Sequence, residues 1–108
     1  MAKLPDKRQS ERIAVNATSR CDFASPVLED FGPVKIQNVS LEGIGLIVSH
    51  NLTPGLLLTI NLINPEKKFS KTMLARIVHS TPHSTGAFLI GCKFNVPLLY
   101  EEFSALVM

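Results

Sequence analysis

Short runs rich in valine, isoleucine, leucine, threonine and phenylalanine, separated by proline, glycine and asparagine, constrain this chain more than any other feature. The longest apolar stretches, such as Leu56 to Ile60, stop far short of the roughly 20 residues that a membrane helix needs. The runs have strand length and recur at intervals typical of a β-barrel or sandwich. Strands are expected near 13–22, 33–38, 43–49, 56–63, 69–79 and 86–95. The punctuation between them is specific. Phe31-Gly32-Pro33 breaks the chain, Thr53-Pro54-Gly55 suits a type II turn with proline then glycine at its centre, and Asn64-Pro65-Glu66 suits another turn. Within 43–49, Ile44, Leu46 and Val48 share one face while Gly45, Ile47 and Ser49 share the other, which is the period of a strand. The fold expected is all-β.

The two ends differ from this body. Residues 1–12 are polar and lack an apolar period, so they are expected to be a mobile arm, followed by a single domain over 13–108. Near the C-terminus Pro97 suits the first turn of a helix, and Leu99, Phe103 and Leu106 follow at helical spacing with Glu101 and Glu102 on a polar side. A short amphipathic helix is expected over 97–107, packed against the barrel. The net charge of +2 resides in the arm, where Lys3, Lys7, Arg8 and Arg12 outweigh Asp6 and Glu11; the other residues carry seven basic and seven acidic groups. A basic arm beside a neutral body argues against a broad nucleic-acid surface. The charged N-terminus has no apolar signal region behind it, so a cytoplasmic protein without membrane insertion is expected.

Signatures of catalysis and metal binding are weak. Cys21 and Cys92 form no CxxC and are expected to be buried free thiols. His79 and His83 have i, i+4 spacing, but Thr81-Pro82 between them breaks any helix that would bring them together, and a solvated loop is the expected setting. Adjacent Glu101 and Glu102 face different directions on a helix and make no carboxylate pair. GxSxG, HExxH and GxxxxGK[ST] are absent from the sequence. No enzymatic activity, metal or cofactor is expected.

Two constellations carry more. Arg8-Gln9-Ser10-Glu11-Arg12 places two guanidinium groups four residues apart where the arm meets the first strand. Arginine offers a planar fork of donors that clamps phosphate or the O6/N7 edge of guanine, and it stacks on purine faces. Asn38-Val39-Ser40-Leu41-Glu42-Gly43 lies between two strands, where Asn38 and Ser40 supply short directional polar groups and Gly43 permits a positive φ or close approach of a ligand. The bland alternatives are a solvated basic stretch and a hairpin connection whose polar residues bond their own backbone. With this composition an accidental RxxxR is expected about 0.1 times and an accidental [DN]xSxxG about 0.04 times, so their joint presence favours a site.

At these residues the sequence resembles the PilZ domain family. Arg8-x-x-x-Arg12 matches the family's first motif, Asn38-x-Ser40-x-x-Gly43 matches its [D/N]xSxxG motif, and Gly86-Ala87-Phe88-Leu89-Ile90-Gly91-Cys92-Lys93-Phe94 is similar to its last barrel strand. The resemblance extends over nearly the whole chain. It implies a six-stranded antiparallel β-barrel with a C-terminal helix and a role as receptor for the bacterial second messenger cyclic di-GMP. Arg8 and Arg12 would hold guanine edges and phosphates, Asn38 and Ser40 would hydrogen-bond the second guanine, and Gly43 would let the chain approach it. Lys7 is a candidate accessory phosphate contact. Asn38 stands where many members carry aspartate, so a neutral donor and acceptor replaces an ionic acceptor.

The resemblance further implies regulation through a downstream protein partner, in processes such as motility or biofilm formation, by a monomer or a ligand-dependent dimer. Binding is expected to order the arm over the barrel and change the surface offered to that partner. The alternative is a PilZ-fold interaction protein that works without nucleotide, for example in type IV pilus assembly. A single-stranded nucleic-acid binder would want a basic groove with interleaved aromatics, and the neutral body speaks against it.

Overall fold

The computed structural model describes residues 12–24 and 34–108. Six strands follow in chain order: β1 (Arg20–Phe23), β2 (Lys35–Val39), β3 (Gly43–Val48), β4 (Leu57–Asn64), β5 (Phe69–Pro82) and β6 (Phe88–Phe94). Among the described residues one α-helix, α1 (Tyr100–Val107), follows the strands. The strands form one antiparallel sheet in the order β1-β4-β5-β6-β3-β2, curled into a half-barrel with β1 and β2 as its edges.

Alternation decides what the concave face buries. Leu58, Ile60 and Leu62 of β4, Ile44, Leu46 and Val48 of β3, and Met73, Ala75 and Ile77 of β5 point inward at period two. Ile90, Cys92 and Phe94 of β6, Ile36 and Val39 of β2, and Cys21, Leu98 and Leu106 complete the core. Both cysteines are free and buried, as the sequence indicates. Each fully buried leucine or isoleucine stabilises the fold by about 1.5–3 kcal/mol. The turn over Thr53-Pro54-Gly55 also forms as expected: Gly55 has φ 94° and the Leu56 N–H donates to the Thr53 carbonyl at 3.2 Å. Asn64-Pro65-Glu66 opens a 3-10 turn over Pro65–Lys67, capped by the Asn64 side chain.

Three expectations need correction. The strand expected over 13–22 is only Arg20–Phe23, preceded by a single bridge from Ile13 to Val39 and a turn at Ala17-Thr18. Asn16 causes this, because its side-chain Oδ1 accepts from the hydroxyls of Thr18 at 3.2 Å and Ser19 at 2.8 Å, folding the chain locally. The helix begins at Tyr100 rather than 97, since Leu98 is buried in extended chain and its N–H donates to the Leu41 carbonyl at 2.8 Å. The strand expected to end at 79 runs on to Pro82, because pairing with β6 continues that far, so His79 lies inside β5 rather than beside a loop. The break at Phe31-Gly32-Pro33 and the arm up to residue 11 lie outside the described residues.

A buried polar hub joins the N-terminal segment to the helix. Asn64 is 0% exposed at an inward position of β4, and its amide donates to the Ala105 carbonyl at 2.7 Å and to Asn16 Oδ1 at 3.4 Å. Its own Oδ1 accepts from Thr18 Oγ1 at 2.8 Å and the Glu66 N–H at 3.2 Å. Every polar group of the side chain is thereby matched, as burial requires. Beside it the Leu106 carbonyl accepts from the Asn16 N–H at 2.9 Å and Ser19 Oγ at 3.0 Å.

Candidate functional site

The site lies on the convex face, where two irregularities matter more than the regular ladder. Strict alternation in β2 would place Asn38 on the same face as buried Ile36. A β-bulge between them makes Ile36 and Val39 the inward residues and turns Asn38 outward. The same device recurs in β5, where a bulge between Ile77 and His79 leaves Ile77 buried and both Val78 and His79 exposed.

Between these two bulges the sheet is bare. His79 pairs with Gly91, Gly91 with Gly45, and Gly45 with Asn38, so a row across four strands reads imidazole, glycine, glycine, amide. A glycine inside a strand often marks close approach of another group, and here the groups are side chains from neighbouring elements. The Arg12 guanidinium lies on β3. A methyl group on Gly43 would sit 3.4 Å from Arg12 Nη2, and one on Gly45 would sit 3.5 Å from Arg12 Nη1. The His79 ring lies over Gly91, where a methyl group would collide with Nε2 and sit 2.6 Å from Cε1 and 2.9 Å from Cδ2.

Arg12 Nη1 donates to Asn38 Oδ1 at 3.2 Å, joining the two sequence motifs directly. The adjacent Ile13 and Val39 exchange backbone hydrogen bonds of 2.8 and 2.9 Å, which fixes where the arginine leaves the chain. Two clefts open on either side of the guanidinium. One, of about 220 Å³, is lined by Arg12, Asn38, Gly45, His79, Leu89 and Gly91. The other, of about 300 Å³, is lined by Arg12, Ser40, Glu42, Gly43, Val78 and Lys93. Beneath the second, burial pushes the Cys92 thiol up to about 12, with Arg12 pulling slightly the other way, so it stays neutral.

Ser40 faces its own turn. It is 3% exposed, and its hydroxyl accepts from the N–H groups of Gly43 at 3.1 Å and Glu42 at 3.3 Å. With the Ser40 N–H donating to the Gly43 carbonyl at 2.9 Å, it closes the tight connection that sets β2 beside β3. Gly43 does not adopt a positive φ; its requirement is space, because a side chain there would strike the Cys92 carbonyl. Arg12, Asn38, Ser40 and Gly43 therefore converge, whereas Lys7 and Arg8 lie outside the described residues.

Sequence reasoning passed over Gly45, Gly91 and His79 as parts of the site. The glycines carried a usable signal, since Gly43 and Gly45 share one strand face and Gly91 interrupts an apolar run. His79 carried none, because the bulge that turns it outward leaves no mark in composition. Among the described residues no three histidines, cysteines or carboxylates gather as a metal site would need, and no helix is long and apolar enough to cross a membrane.

The family model for the PilZ domain matches residues 6–107, nearly the whole chain. No curated protein and no solved structure matches.

Proposed function

This chain belongs to the PilZ domain family, and from that premise we propose that it is a receptor for cyclic di-GMP. One observation carries the reading: Arg12 of the first motif and Asn38 of the second are hydrogen-bonded at 3.2 Å over the bare glycine floor of Gly43 and Gly45. The guanidinium supplies donors for phosphate and for the O6/N7 edge of guanine, and the amide supplies both a donor and an acceptor. Arg8 adds a second guanidinium from the arm, Lys7 an accessory phosphate contact, and Gly43 the open surface. Ser40 contributes first by bracing the turn, and its hydroxyl reaches the second guanine only by leaving Gly43.

Binding acts as a switch on the N-terminal segment. Arg12 is where residues 1–12 meet the barrel, so a ligand held by Arg8 and Arg12 ties that arm to the convex face at an entropic cost offset by binding. The following residues run to the hub at Asn16 and Asn64 and so to the Leu106 carbonyl of α1. This path offers a downstream partner different surfaces in free and bound protein. The ligand is regulatory rather than a cofactor, and the protein works by binding, in the bacterial cytoplasm, without chemical turnover.

Isothermal titration of the purified protein with cyclic di-GMP, with GTP as control, tests this. Micromolar or tighter binding, lost in Arg8→Ala and in Arg12→Ala, is expected. No binding at high ligand concentration would favour a nucleotide-independent interaction protein, and hydrolysis of the ligand would remove the receptor reading.

A further inference from the structure

His79 has no role in the motifs, yet the fold expends a β-bulge to expose it. Without the irregularity between Ile77 and His79, alternation would direct the imidazole into the core beside Ile77. Bulges that re-aim one side chain are concentrated beside binding sites. Here the re-aimed ring comes down on Gly91, the one place in β6 where the sheet has room for it.

The orientation of the ring follows from its contacts. Nε2 is nearest to the methyl position of Gly91, and both of its bonded carbons are almost as near, at 2.6 and 2.9 Å. A ring standing on its tip would hold those two carbons well back from Nε2. Thus a face of the imidazole lies against the glycine, and the opposite face looks outward. No hydrogen bond or ion pair engages the ring among the described residues. At the neighbouring strand the two terminal nitrogens of Arg12 lie 3.4 Å from the methyl position of Gly43 and 3.5 Å from that of Gly45. The guanidinium therefore reaches the floor at both of its terminal nitrogens, between the two glycines. Gly91 and Gly45 are cross-strand partners, so the imidazole and the guanidinium are neighbours on one surface.

We propose that His79 and Arg12 form a two-part stacking platform for a purine base, with His79 as the specificity-determining residue that extends the platform from β3 onto β6. The inference rests on the receptor reading and deepens it by assigning which face of the ligand the barrel holds. Aromatic and guanidinium groups both stack on bases, and neither reads sequence by doing so. Discrimination comes from extent: the fused rings of a purine cover both groups, whereas a single pyrimidine ring covers one. Asn38, at the end of the same row, then meets the edge of the stacked base.

Titration with cyclic di-GMP and cyclic di-UMP of the wild type and the variants His79→Ala, His79→Phe and His79→Gln tests the platform. His79→Ala should weaken cyclic di-GMP by about 5-fold or more, the low end of what loss of one base–aromatic stack costs. His79→Phe should restore it to within about twofold of wild type, because a ring face is retained, while His79→Gln should be as weak as alanine. The wild type should prefer cyclic di-GMP to cyclic di-UMP, and the preference should narrow in His79→Ala. Thermal midpoints should be alike, since the side chain is exposed. Wild-type affinity in His79→Ala, wild-type affinity in His79→Gln, or a phenylalanine variant as weak as alanine overturns the platform while leaving the receptor intact. Wild type that binds no cyclic di-GMP overturns the receptor reading and the platform with it.

Discussion

Arg12 and Asn38 stand 26 positions apart in the chain and meet at 3.2 Å, Nη1 to Oδ1, beside Gly43 and Gly45, where the strand carries no side chain. The bond holds a flexible cation in a fixed pose before any ligand arrives. Preorganisation of this kind lowers the ordering cost of binding. Replacing Asn38 with leucine removes both the acceptor that holds Arg12 and the amide offered to the ligand. Hydrogen bonds to charged groups contribute about 1.5–3 kcal/mol, so a loss of affinity for cyclic di-GMP of about tenfold or more is expected by titration. The melting temperature should change little, because the bond is exposed.

The glycines of β3 divide the cost of substitution between stability and binding. At Gly43 an added methyl meets the backbone carbonyl of Cys92, which cannot move without parting β3 from β6. Gly43→Ala should lower stability by about 1–3 kcal/mol in denaturant unfolding. At Gly45 the methyl meets Asn38 Oδ1 at 2.8 Å, the far end of a half-buried, outward-facing side chain rather than backbone. Gly45→Ala should therefore unfold almost like wild type while losing ligand, because Asn38 swings away and releases Arg12. If the two variants lost stability equally, the floor would be structural rather than a binding surface.

These positions also mark how far the sequence alone could be read. Ile44, Leu46 and Val48 announce β3 by strict alternation, and proline followed by glycine announces the turn before β4, so architecture followed from local pattern. Arg12 and Asn38 stood out as candidates because residue chemistry and spacing match a family motif, though their meeting at 3.2 Å is a fact of the fold and not of the spacing. His79 was not. Its outward direction depends on a single extra residue in β5, and the partner that makes it meaningful, Gly91, is brought alongside only by pairing with β6. Nor could local pattern foresee that Asn16 would interrupt the first strand, since the effect comes from hydroxyls two and three residues on.

Asn64 should behave as the keystone between the N-terminal segment and α1. Asn64→Leu fits an inward β4 position and follows Leu58, Ile60 and Leu62, yet it strands the Ala105 carbonyl without its partner and leaves the Thr18 hydroxyl only its weaker acceptor, Asn16 Oδ1. Unsatisfied buried groups cost about 1–3 kcal/mol each, so a loss of this order in unfolding free energy is expected despite the gain in apolar surface. Amide exchange should speed first in α1, because its anchor to β4 is gone. A variant as stable as wild type, with α1 equally protected, would show that apolar packing alone docks the helix.

A further attachment of α1 is electrostatic and carries a pH dependence whose sign follows from its partners. Glu102 accepts from Lys71 Nζ at 2.8 Å and from the Leu99 N–H at 2.8 Å. The hydrogen bond from Lys71 is the chief cause that holds the carboxyl below its ordinary 4.5, against the opposing effect of burial, with the Leu99 bond and the lysine charge assisting. A carboxyl depressed in the folded state binds its proton less readily there than in the unfolded chain. Its stabilising contribution is therefore complete above the ordinary carboxylate value and disappears as pH falls through the lower folded-state value. Lys71→Met removes the cause of the depression. Thermal unfolding from pH 6 to pH 3 should show wild type losing its advantage over Lys71→Met as the solution becomes acid, with the two curves converging at the low end; parallel curves would mean that the ion pair contributes nothing to holding α1 on β5.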